Sequence, residues 1–116
     1  MVSTGFLEIR IAETDEVIGQ IDLPGVEGYT LGRSDASSTF VPDIDLAGCG
    51  ARDKGVSRRH AVLVRYHGAV HVVDLESVNG TFLNGERLLP NAPYPLKDGD
   101  HLSVASLNLT IGQIMP

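Results

Sequence analysis

The chain has 116 residues and carries fifteen Asp and Glu against nine Lys and Arg, a formal net charge of −6. This is one domain's worth of chain, enough to bury roughly two thirds of the surface its unfolded form exposes, and its acidic balance argues against general nucleic-acid or membrane-surface binding. A lone cysteine, Cys49, excludes an intramolecular disulfide and any multi-cysteine zinc site. No metal or cofactor is implied. The N-terminus MVSTGFLEIR lacks a basic segment followed by a long apolar run, and no span long enough for a membrane is visible, so the cytoplasm is the expected location.

Taken in chain order, the periodicity predicts strands almost throughout. In FLEIRIA, Leu7, Ile9 and Ile11 alternate with Glu8 and Arg10, the period of two that marks a half-buried strand. VIGQIDL (17–23), GYTLGR (28–33) and the short DIDL (43–46) follow, then HAVLVRY (60–66), AVHVVDL (69–75), TFL (81–83), HLSV (101–104) and LNLTI (107–111). Asp15, His67-Gly68, Asn79-Gly80, Asn84-Gly85 and Asp98-Gly99 supply turn signals between them. No window of a dozen residues carries apolar positions at helical spacing. The expected fold is therefore all-β, a single antiparallel β-sandwich over residues 1–116. One segment breaks the rhythm: residues 34–56 are rich in Ser, Asp, Gly and Ala, and a loop this long inside a compact domain tends to carry function.

Charge is distributed unevenly. Six acidic residues and only Arg10 among the bases precede residue 30, whereas Arg33, Arg52, Lys54, Arg58 and Arg59 place five of the nine bases between 33 and 59. The stretch GVSRRHA (55–61) at the heart of this cluster admits three readings. A hydrolase with Ser57 as nucleophile, His60 as base and Asp74 as third member is disfavoured, because extended residues three apart point to opposite faces and no G-x-S-x-G elbow exists. Nucleic-acid binding lacks a second basic run and the aromatic residues for stacking. A single phosphate fits better: Arg33, Ser57 with Arg58, and Ser77 with Asn79 and the Gly80 amide lie at the ends of three different strands, and loops at one end of a sandwich cluster in space. His60 alternates with Val62, Val64 and Tyr66, so it is expected in the core with its ring nitrogens bonded to the backbone of a neighbouring loop.

Gly32-Arg33, then GVSRRHA, DLESVNGTFLNGERL and LKDGDHLSV resemble, in this order, the core motifs of the forkhead-associated (FHA) domain, a phosphothreonine-peptide-binding β-sandwich of the FHA/SMAD-like fold. The resemblance spans residues 28–112. It implies that Arg33, Ser57 and Arg58 bind the phosphate, that Asn79 bonds the peptide main chain beside the phosphothreonine, and that Ser77 lies near the phosphate. Gly32 and His60 would hold the loops in shape and Gly80 would serve the turn. The long interval between Arg33 and Ser57 resembles a long-loop bacterial variety of the family, and Val78 stands where some relatives have Thr. The threonine methyl group is expected to enter a small pocket near the Asn79 loop, which Val78 either lines or merely packs beneath. The function implied is a non-enzymatic adaptor whose partner is a phosphothreonine segment of another protein in a Ser/Thr kinase pathway. A phosphate-independent scaffold or self-association domain of the same fold is the alternative.

Overall fold

The computed structural model of the protein describes residues 5–114. Strands are numbered in chain order. One sheet is built from β1 (Phe6–Ile11), β2 (Val17–Asp22), β7 (Thr81–Leu83), β8 (Glu86–Arg87), β10 (Asp100–Val104) and β11 (Leu107–Ile114). The second comprises β3 (Tyr29–Gly32), β4 (Ile44–Asp45), β5 (Ala61–Tyr66), β6 (Ala69–Asp74) and β9 (Pro93–Pro95). Their spatial orders are β2-β1-β11-β10-β7-β8 and β4-β3-β5-β6-β9. A short 3₁₀ turn, Ala47–Cys49, follows β4.

The alternating pattern places the core. Leu7 and Ile9 of β1 and Leu107, Leu109 and Ile111 of β11 turn inward, with Ile9 opposite Ile111 in the ladder. Leu31, Ala61, Leu63, Val70 and Val72 meet them from the other sheet. Each buried Leu or Ile contributes roughly 1.5–3 kcal/mol over its exposed state. The result is a β-sandwich, but not a purely antiparallel one: β4 runs parallel to β3, pairing Leu31 with Ile44 and Gly32 with Asp45. This is how the chain returns after leaving the sheet at Arg33.

Two strands escape the sequence pattern, β8 and β9, because they have two and three residues and too little length for a period to register. The Pro93 and Pro95 of β9 are tolerated because that strand is an edge. A further correction concerns β5. The inward face is Ala61 and Leu63, not the expected set of Val62, Val64 and Tyr66, since Val62 and Val64 are half-buried and Tyr66 is exposed. His60 is fully buried all the same, as the last residue of the loop before the strand rather than as a member of its apolar face.

Candidate functional site

Four connections meet at one end of the sandwich: β3–β4, β4–β5, β6–β7 and the tight β10–β11 turn. Hydrogen bonds knit them together. Arg33 Nε donates to the Val56 carbonyl at 2.8 Å, Asn79 Nδ2 to the Gly55 carbonyl at 2.9 Å, and the Val78 amide to Ser57 Oγ at 3.3 Å. The Ser106 amide reaches Lys54 O at 3.1 Å and the Ala105 amide reaches Gly80 O at 2.9 Å. Gly32 is required by close approach: a Cβ there would lie 1.8 Å from the Arg58 carbonyl oxygen, which also accepts the Arg33 amide at 3.2 Å. The β3 end and the SRR segment are thereby pressed together, with Arg33 beside Ser57 and Arg58.

Two groups hold these loops from below. His60 is wholly buried, and its Nδ1 accepts the Ser57 amide at 3.0 Å while Nε2–H donates to Gly80 O at 2.8 Å. Burial pushes its pKa below the usual histidine value, against smaller opposing contributions from the Gly80 carbonyl and the Asp74 carboxylate, so the ring is neutral. Asp74, 2% exposed, accepts the Ser77 and Thr81 hydroxyls at 2.6 Å each on Oδ1 and the Ser77 amide at 3.2 Å on Oδ2. Ser77 Oγ in turn accepts the Gly80 amide at 3.0 Å. Gly80 adopts φ +90°, a left-handed conformation that suits glycine. Asn79-Gly80 is thus part of a side-chain-braced loop and not a two-residue hairpin turn.

Above this frame the polar groups face outward. The Arg33 and Arg58 guanidinia converge on one carboxylate oxygen, Asp35 Oδ2, at 2.9 and 3.4 Å, and Arg58 also donates to Ser37 Oγ at 3.0 Å. Asp35 Oδ1 accepts the Ser37 hydroxyl at 2.7 Å and the Ser37 amide at 2.8 Å. The hydroxyl and amide of Ser37, then Arg33 and Arg58, hold the Asp35 carboxyl well below the usual carboxylate range despite partial desolvation. Among the described residues, Ser57 Oγ accepts a bond but its hydroxyl proton has no acceptor, and Asn79 Oδ1 has no donor. Arg59 turns away from this cluster and lies over the Phe40 ring, 5.3 Å from its centroid. Val78 is 81% exposed, so it does not pack beneath the loop.

Residues 29–105 match the FHA domain family. This chain belongs to it. Among curated relatives, an oxoglutarate dehydrogenase inhibitor of Corynebacterium diphtheriae is 35% identical over 80 residues, which cover 69% of this chain and 47% of that protein. A protein phosphatase 1 regulatory inhibitor subunit homologue of Arabidopsis thaliana is 29% identical over 103 residues, covering 88% of this chain and 25% of its own. The chain thus spans a quarter to a half of these relatives. Among solved structures, yeast Pml1p superposes with a TM-score of 0.72 at 23% identity, over 97% of this chain and 83% of that one. A domain from a study of phosphothreonine-dependent FHA domain interactions superposes with a TM-score of 0.67 at 21% identity, over 96% and 98%.

Within this FHA domain, Arg33, Ser57, Arg58 and Asn79 share the apex, with groups left to offer a ligand. Ser77 lies in the same loop as Asn79, but its hydroxyl proton goes to Asp74, so its geometry is that of a brace. The Ser-His arrangement needed for nucleophilic catalysis is not formed: both His60 nitrogens are committed to backbone groups and Asp74 bonds Ser77 and Thr81. Sequence reasoning missed Asp35 and Ser37 as members of the apex, and named Asp74 only as the third member of the disfavoured hydrolase and not as the brace it is. The spacing Asp35-x-Ser37 carried a signal, since an Asp readily bonds the backbone and hydroxyl two residues on.

Proposed function

We propose that this FHA domain is a phosphothreonine-dependent interaction module, an adaptor that makes a protein–protein contact conditional on a Ser/Thr kinase. The observation that carries the reading is the convergence of two guanidinia from different loops on one anionic oxygen, beside a hydroxyl proton without an acceptor among the described residues. Arg33, Arg58 and Ser57 would bind the phosphate, and Asn79 Oδ1 would accept a main-chain N–H of the peptide. Gly32, His60, Gly80, Ser77 and Asp74 would hold those groups in place. Each charge-assisted bond to phosphate contributes roughly 1.5–3 kcal/mol, so two or three supply much of the ~8 kcal/mol of a micromolar complex. No bond is made or broken in this role, and no metal or cofactor takes part. Among the described residues no helix is long and apolar enough to cross a membrane. Calorimetry with matched phosphorylated and unphosphorylated threonine peptide libraries tests the reading. Binding that requires the phosphate supports it, and binding indifferent to phosphorylation assigns the domain to the phosphate-independent scaffold class.

A further inference from the structure

The apex is not a bare pair of cations. Asp35 Oδ2 sits between Arg33 Nη1 and Arg58 Nη2, while Oδ1 is fastened by the Ser37 hydroxyl and amide, and its side chain is only 15% exposed. A carboxylate oxygen thus already fills the position where two guanidinia from separate loops meet. We infer that Asp35 is an internal stand-in anion that occupies the phosphate cradle and sets its selectivity, admitting a phosphate dianion and rejecting carboxylates.

The reasoning is one of exchange and rests on the phosphopeptide reading above. A glutamate or aspartate side chain of a partner offers Arg33 and Arg58 the same single negative charge that Asp35 already supplies through Oδ2. Asp35 offers it intramolecularly, two residues from Arg33, at an effective concentration no dissolved peptide reaches. Exchanging one carboxylate for another therefore gains nothing. A phosphate brings about twice the charge and three terminal oxygens, which can engage Arg33, Arg58 and the unclaimed Ser57 hydroxyl proton together. Only that ligand gains enough to displace Asp35 Oδ2. An acidic phosphomimetic in the partner should consequently fail to substitute for phosphothreonine.

The test compares wild type, Asp35→Asn and Ser37→Ala against three peptides of one sequence carrying phosphothreonine, threonine or glutamate. Asn keeps the acceptor for the Ser37 amide but removes the charge. Asp35→Asn is expected to bind the phosphothreonine peptide about three- to thirtyfold more tightly than wild type and to acquire measurable affinity for the glutamate peptide. Ser37→Ala, which loosens Asp35 and frees Arg58, is expected to shift both affinities the same way by less. Unchanged or weaker binding by Asp35→Asn overturns the inference, the weaker case making Asp35 a positioning residue for the arginines. Should no phosphothreonine peptide bind any form, the peptide reading has failed on its own. Titration with inorganic phosphate, followed at the Ser34, Ser57 and Arg58 amides by NMR, then still decides. Tighter phosphate binding in Asp35→Asn supports the stand-in anion, and equal or absent binding in both forms refutes it. If Asp35→Asn does not fold, Ser37→Ala decides alone by the same criteria.

Discussion

Replacing His60 by alanine separates support of the loops from contact with a ligand. The imidazole is wholly buried, accepts the Ser57 amide and donates to the Gly80 carbonyl. The two losses are unequal. Gly80 O keeps the Ala105 amide at 2.9 Å, whereas the Ser57 amide loses its acceptor. The Ser57 amide is part-buried, so leaving it unpaired costs toward the lower end of the roughly 1–3 kcal/mol of a buried donor, and part of a ring-sized cavity adds to it. The expected destabilisation is about 2–4 kcal/mol, a large fraction of the 5–15 kcal/mol that holds a typical domain together. The sign of its pH dependence follows from the lowered pKa. The unfolded chain takes up the histidine proton below about pH 6.5 while the folded protein resists it, so this part of the stability is complete above that pH and is lost as pH falls toward the folded value. The slope is at most ~1.4 kcal/mol per pH unit. Urea denaturation of both proteins at about pH 7.5 and about pH 5.5 should therefore show a gap that narrows at the lower pH. A gap below 1 kcal/mol, or one that ignores pH, would refute the reasoning.

Arg33→Ala should weaken phosphothreonine-peptide binding by at least about a hundredfold, two charge-assisted bonds' worth, while the lost bond to Val56 O costs only about 1 kcal/mol of stability; calorimetry and a melting curve on one preparation check both halves. Asp74→Ala strands the Ser77 and Thr81 hydroxyls and the Ser77 amide, so chemical denaturation should show a loss of about 2–5 kcal/mol, and a loss no larger than that of a surface mutation would remove Asp74 from the frame. The threonine methyl is worth ~0.8 kcal/mol of burial, so wild type should prefer phosphothreonine to phosphoserine by at least about fourfold. Because Val78 is 81% exposed at the loop tip, Val78→Ala should narrow that preference, whereas Asn79→Ala should weaken both peptides alike; equal wild-type affinities would leave only a general phosphate cradle.

What the sequence could reveal depended on how far each interaction reaches along the chain. Period-two alternation in FLEIRI and LNLTI is set by which side chains meet the core, and it correctly turned Leu7, Ile9, Leu107, Leu109 and Ile111 inward. In β5 the same rule picked the wrong face, because HAVLVRY is apolar on both sides and alternation cannot choose between Ala61 with Leu63 and Val62 with Val64. His60 was nonetheless placed in the interior, for a reason that does not hold: its burial comes from the loop it closes. The parallel β3–β4 pairing was invisible, since two residues bonded across a loop leave no period to detect.

At the apex the difference is sharper. Cations at two strand ends and uncharged polar groups at a third could be read from charge and position, because a sandwich gathers such ends wherever the loops lead. The place of Asp35 between two arginines could not, although its bonds to Ser37 are local and it lies two residues from Arg33. In sequence it is one of several polar residues in a Ser- and Asp-rich loop, and its meaning arises only when Gly32 lets the Arg58 carbonyl approach to a distance no side chain would allow. That approach brings a second guanidinium, from 23 residues away, onto the oxygen that Arg33 already holds. A carboxylate beside one arginine is an ordinary surface pair of little energetic weight. Between two, and fastened by Ser37, it becomes an anion that a ligand has to outcompete. The glycine therefore has two consequences at once: it builds the cradle, and by building it makes Asp35 its first occupant.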